Sequence, residues 1–208
     1  MVCPRDERRK RAARVPAPQG TCASTPGRYD VGRPMFVTIG KRAATGDVVD
    51  MLLECHTRIR RHTEIARHLA AAHGAPAGEI VDAARAVHRY FSVALPLHVA
   101  DEEESVVPRL VGREPEVDAA LARMGREHDE HRAPLAAMLA HCEALAATPE
   151  RQPELGPELG AVAARLDAEF AKHLELEERV ILPAMRRLLD APTLATIASE
   201  LAARRRPA

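Results

Sequence analysis

The chain has 208 residues, with 30 Lys+Arg balancing 30 Asp+Glu, two Tyr, three Phe, no Trp, four Cys and ten His. That balance excludes nucleic-acid binding through a basic surplus, and so few aromatic rings exclude a base-stacking platform. At 46% hydrophobic residues the chain can bury a core and is not disordered throughout. The charge is unevenly spread. Residues 1–45 hold ten Lys/Arg against three Asp/Glu, so the remainder carries the matching acidic excess. This first segment lacks apolar periodicity, is rich in Pro, Gly and Arg, and reads as a disordered basic tail. A basic arm for an acidic partner, or a chain that starts at Met35, are other readings of it. It lacks the apolar run of a secretory signal, and no stretch of the chain is long and apolar enough to span a bilayer. Cys3, Cys22, Cys55 and Cys142 form no CxxC pair and read as free thiols of a cytoplasmic protein.

From about residue 46 the apolar period is helical. A first helix is predicted over about 46–72, with Val49, Leu52, His56 and Ile59 on one seam, ended by His73-Gly74-Ala75-Pro76. A second runs over about 77–110 with Val87, Phe91, Leu95, His98, Glu102 and Ser105 on its seam. A third, over about 115–147, carries Leu121, Met124, His128, His131, Leu135, Met138, Cys142 and Leu145. A fourth, over about 157–189, carries Val162, Leu166, Phe170, His173, Glu177, Val180, Ala184 and Leu188. A short amphipathic helix over 193–204 follows Pro192. No strand pattern of any length is present. Long helices with short connections predict an all-α, antiparallel up-down-up-down four-helix bundle over 46–190, with a short C-terminal helix and tail over 191–208. Pro96, Pro108, Pro134 and Pro183 fall within or at the ends of these helices. Because the seams resume after Pro96 and Pro134, local kinks are expected there rather than breaks.

Two of the helices share a motif. His98 is followed by Glu102-Glu103 and Pro108, and His173 by Glu177-Glu178 and Pro183, at identical spacings and 75 residues apart. A His and a Glu four apart share one helix face. Both pairs sit on seams otherwise made of Val, Leu and Phe, so both point inward. One such pair alone reads as an ion pair. Two of them bring two carboxylates towards one interior, where a divalent cation removes the repulsion and the desolvation cost. His56 and His128 complete the set, giving His56, His98, Glu102, His128, His173 and Glu177. Four imidazoles and two carboxylates fit two ions with bridging carboxylates, or a single octahedral ion on which all six converge. Nitrogen and oxygen donors without Cys favour iron or manganese over a structural zinc.

These residues resemble the hemerythrin family, the HHE cation-binding domains, over residues 46–190. The resemblance rests on one His in the first helix, His-x-x-x-Glu with a trailing Pro in the second and fourth, and Glu127-His128 in the third. It implies a left-handed bundle holding a non-haem di-iron centre, with His56, His98, His128 and His173 as ligands and Glu102 and Glu177 as bridges. Two positions depart from the oxygen-carrying members. The place one turn after His128 holds Arg132, and the inward carboxylate of the fourth helix falls one residue early, at Glu177. His131 is a candidate fifth imidazole. His62, His68, His73, His88 and His141 fall outside the motif. Glu103, Glu104 and Glu178 read as a solvated face, and Asp101 as part of that face or as an acceptor behind a ligand His.

The function implied is binding of a small ligand, O₂ or NO, at an open iron position for sensing, buffering or storage. A redox or iron–sulphur-repair role in oxidative or nitrosative stress is the second reading, with Cys142 either redox-active or a small core hydrophobe. A metal-free interaction module, its His/Glu pairs acting as salt bridges, is the third.

Overall fold

The computed structural model describes residues 47–206, and among them every regular element is helical. The tail expected over 1–45, with Cys3 and Cys22, lies outside the described residues. Helix α1 spans Val48–Ala70, and Asp47 caps it. The Asp47 carboxylate accepts from the N–H of Asp50, whose own carboxylate accepts from the N–H of Asp47. This reciprocal pair satisfies donors that the first turn leaves free. At the other end, Nε2 of buried Gln152 donates to the carbonyls of Leu69 and Ala70 at 3.1 and 3.0 Å. A side chain from a distant helix thus closes α1.

Helix α2 runs over 77–110, α3 is Pro115–Ala147, α4 runs over 152–188 and α5 is Ala191–Arg204. The connections flanking α2 carry Gly74 and Gly112 at φ of 73° and 79°, a region that side-chain-bearing residues avoid. Helix α4 begins at Gln152, after a single 3₁₀ turn, and not at 157 as the sequence suggests; Pro157 lies inside it.

Three prolines change the helix type instead of ending the helix. Helix α2 widens to π turns at Tyr90–Ala94 and Asp101–Val106, and α4 does so at Glu177–Ile181. Each is closed by the N–H of the residue before a proline, donating to the carbonyl five residues back. Leu95 donates to Tyr90 before Pro96, Val107 to Glu102 before Pro108, and Leu182 to Glu177 before Pro183. Proline has no N–H and crowds the carbonyl four residues behind it, and the wider turn absorbs both defects. Pro134 has no such turn, and α3 stays α-helical across it.

The buried apolar side chains form two clusters. One contains Ile59, Leu95, Met138 and Phe170; the other contains Leu52, Val106, Met124 and Ile181. Along α1 and α3 the chain passes from the second cluster to the first, and along α2 and α4 from the first to the second. Helices α1 and α3 each pack against both α2 and α4. Helix α5 packs on α1 and on the second π turn of α2, burying Ile197 and Leu201 in the second cluster. The seams match the burial except at Leu135 and Val162, which are half-buried, and at one systematic slip. Val180 and Leu188 are only half-buried, while Ile181 and Met185 are fully enclosed, because the π turn at Glu177 advances the register of α4 by one residue. Among the described residues no helix is long and apolar enough to cross a membrane.

Candidate metal centre

The two apolar clusters meet at a layer of buried polar side chains. Each long helix contributes one histidine to it: His56 from α1, His98 from α2, His128 from α3 and His173 from α4. Glu102 and Glu177, each at a π turn, complete it at 3% and 1% exposure. The carboxylate oxygens divide between helices. Oε2 of Glu177 lies 2.9 Å from Nε2 of His56, and Oε1 lies 2.8 Å from Nε2 of His173. Oε1 of Glu102 lies 3.3 Å from Nε2 of His98, and Oε2 lies 3.4 Å from Nε2 of His128.

Two groups of four result, each with its donor atoms within 4.8 Å of one another and each able to hold a metal ion. One is His56, His98, Glu102 and Glu177; the other is Glu102, His128, His173 and Glu177. All six sequence-predicted residues are therefore brought together, and both carboxylates belong to both groups. The fit to a cation can be judged from hydrogen bonding. Nε2 of His56, His98 and His128, Oε2 of Glu102 and both oxygens of Glu177 are buried without a hydrogen-bond partner. Their separations are those of ion pairs, but their directions are not those of hydrogen bonds. Lone pairs held side by side in this way carry a desolvation cost that a shared cation removes.

The outer nitrogens explain why the lone pairs face inward. Nδ1 of His56 donates to Glu178, Nδ1 of His128 to Glu103 and Nδ1 of His173 to Glu127, each at 2.9 Å. A proton fixed on Nδ1 leaves Nε2 as the lone pair, turned towards the layer. Glu103 and Glu178 are thus not simply a solvated face. Each follows an inward Glu, so it sits on the flank of its helix, against a histidine of the neighbouring helix. Glu104 does face outward, paired with Arg204. His98 differs, because its Nδ1 is buried without a partner. Asp101 is neither solvated nor behind a histidine: it is fully buried and accepts from Arg204 and Arg205 at the end of α5.

The charges in the layer are coupled. Burial lifts the Glu102 carboxyl well above the usual range, and the neighbouring Glu177 adds to this. Burial would also raise Glu177, but the His173 and His56 imidazoles outweigh it and hold that carboxyl well below its ordinary value. Burial pulls His98 down to about 3 and His131 to about 4, so both rings are neutral near neutral pH. Burial opposes protonation of His173 too, yet Glu177 and Glu127 raise it above 6.5. Without a cation, the layer drives its two carboxyls apart, Glu102 upward by burial and Glu177 downward by the imidazoles beside it.

His131 stands outside both groups, and so do His62, His68, His73, His88 and His141. His62 stacks on Tyr90, whose hydroxyl donates to the carbonyl of Cys55 at 3.3 Å. Of the thiols, Cys142 is fully buried and pushed up to about 12 by burial, which is the behaviour of a core hydrophobe and not of a redox thiolate. The model of the hemerythrin HHE cation-binding domain matches residues 47–185 of the chain. No curated protein matches it.

Proposed function

The chain belongs to the hemerythrin family of HHE cation-binding domains, and from that premise we propose that it is a non-haem di-iron protein that binds a small ligand. In this reading His56 and His98 hold one ion, His128 and His173 hold the other, and Glu102 and Glu177 bridge the two. The observation that carries it is the sharing of both carboxylates between two buried four-residue groups, most of whose inward donor atoms have no hydrogen-bond partner. The mixed nitrogen and oxygen donor set suits iron, and manganese as the alternative. Each ion receives four protein donors, which leaves positions open on a metal that prefers five or six. When bound, iron supplies those exchangeable positions for O₂ or NO.

The protein's own part is to exclude bulk water and fix the donors. Glu103, Glu127 and Glu178 orient three imidazoles, and the apolar clusters close the layer from both sides. A cavity of about 30 Å³ adjoins His98, His128 and His173, which is room for about two waters or a small molecule of two or three heavy atoms. The alternation of the two clusters along successive helices supports an antiparallel up-down-up-down bundle as the frame. The role assigned is sensing, buffering or storage in the cytoplasm.

The test is metal analysis followed by gas titration of the purified chain. About two irons per chain, with an O₂-dependent ultraviolet band that reverses under vacuum, is the expected result. Steady consumption of NO or peroxide with a reductant would replace ligand storage by turnover. A chain that takes up no metal would return the His/Glu pairs to salt bridges.

A further inference from the structure

The cavity beside the candidate metal centre is lined by five apolar side chains and four histidines. Three of those, His98, His128 and His173, belong to the four-residue groups. The fourth, His131, does not. It is 4% exposed, and its ring sits edge-on to Phe170 at 4.8 Å and to His173 at 5.2 Å. It makes no hydrogen bond to any described residue, in contrast to the Nδ1 atoms of His56, His128 and His173.

A neutral imidazole always presents one N–H and one lone pair. The ring nitrogens of His131 have no partner among the described residues and, unlike both of those of His98, are not sealed off, so a molecule in the cavity can reach them. Ile59, Leu95, Val99, Leu135 and Phe170 offer the occupant no donor. The inward lone pairs of the other histidines face the carboxylates. Besides Nδ1 of His98, which is buried without a partner, a hydrogen bond to a molecule in this cavity has one source, His131.

We infer that His131 is a specificity-determining residue that donates a hydrogen bond to small ligands with an anionic or strongly accepting end, and so favours them over weak acceptors. This rests on the di-iron reading of the site. His131 is then a positioning residue for the occupant and not a fifth metal ligand.

The experiment compares the iron-loaded full chain with His131→Leu, which keeps the bulk, and His131→Gln, which keeps an N–H donor. Azide is the anionic probe and NO the weakly accepting one, with circular dichroism as the check on folding. The expected result is iron content and iron affinity unchanged in both variants. Azide affinity should fall roughly tenfold in His131→Leu and recover in part in His131→Gln, the loss of one hydrogen bond. NO affinity should move by less than about threefold, because NO accepts weakly. Equal azide affinity in wild type and His131→Leu would overturn the inference. So would equal losses for azide and NO, which would mark a packing role, or iron loss in His131→Leu, which would make His131 a ligand. Wild-type chain that binds no iron would instead overturn the di-iron reading, and the inference with it.

Discussion

Glu178 in α4 accepts a hydrogen bond from Nδ1 of His56 in α1 at 2.9 Å, across 122 residues of sequence. The same carboxylate also receives Arg60 at 2.9 Å. Burial would lift its pKa, and those two partners hold it below the ordinary value. Replacing Glu178 by Gln should weaken iron binding about 10- to 100-fold while leaving helicity intact. Chelator competition checks this, with Glu104→Gln, on the outward face, as the control that should not move.

The coupled charges give the site a pH dependence of defined sign. His173 is raised, so in the metal-free protein its stabilisation is full below about 6.5 and is lost as pH rises through its folded value. Glu177 is lowered, so its stabilisation is present above about 4.5 and is lost as pH falls. These two groups favour the metal-free protein between those values, whereas His98 and His131, which burial holds neutral, disfavour it as pH falls below about 6.5. Metal binding must displace the proton from His173, so it strengthens with pH. The difference in Tm between iron-loaded and metal-free protein should widen from about pH 5.5 to about pH 7.5. A constant difference would contradict proton competition at His173.

Helix α5 is fastened through a buried charge. Asp101 is fully buried, precedes the inward Glu102, and is neutralised by Arg204 and Arg205, which are 19% and 32% exposed. Removing both arginines should cost about 2–4 kcal/mol in urea unfolding, the lower end reflecting their partial exposure. Asp101→Asn in the same background should recover part of that loss. A change below about 0.5 kcal/mol would mean that the pairs are not formed.

Two glycines should respond with opposite signs. A Cβ at Gly156 would stand 2.6 Å from the carbonyl oxygen of Ala70, so Gly156→Ala must push α4 off α1. The expected loss is about 1–3 kcal/mol. A Cβ at Gly125, inside α3, meets nothing within 4 Å, so Gly125→Ala should gain about 0.5–1 kcal/mol from helix propensity alone. Thermal unfolding of the two variants decides both.

The inward residues were legible because burial follows helical spacing: His56, His98, His128 and His173 sit on apolar seams, and all are buried. What the spacing hid was anything set by a second helix. Glu103 and Glu178 follow inward glutamates, and the period assigns such a position to the flank without saying what faces it. Their partners, His128 and His56, come from other helices. The signal was present in the doubled Glu of each motif and in Glu127 before His128. The slip from Val180 to Ile181 has a local cause, the π turn at Glu177, and the proline six residues after each motif glutamate marks it. The start of α4 was placed late because Pro157 reads as a boundary. Gln152 belongs to the helix because it caps α1, a long-range contact that no local pattern announces.

The central claim is that Glu102 and Glu177 each serve both ions. Native mass spectrometry of the full chain titrated with Fe(II) under anaerobic conditions tests it most directly. The account predicts about two irons on the wild-type chain, and none on the Glu102→Ala/Glu177→Ala double variant with its helicity kept. Glu177→Ala alone should weaken both binding steps, because both groups lose a donor. Unchanged iron content in the double variant, or one step of wild-type affinity surviving in Glu177→Ala, would contradict it.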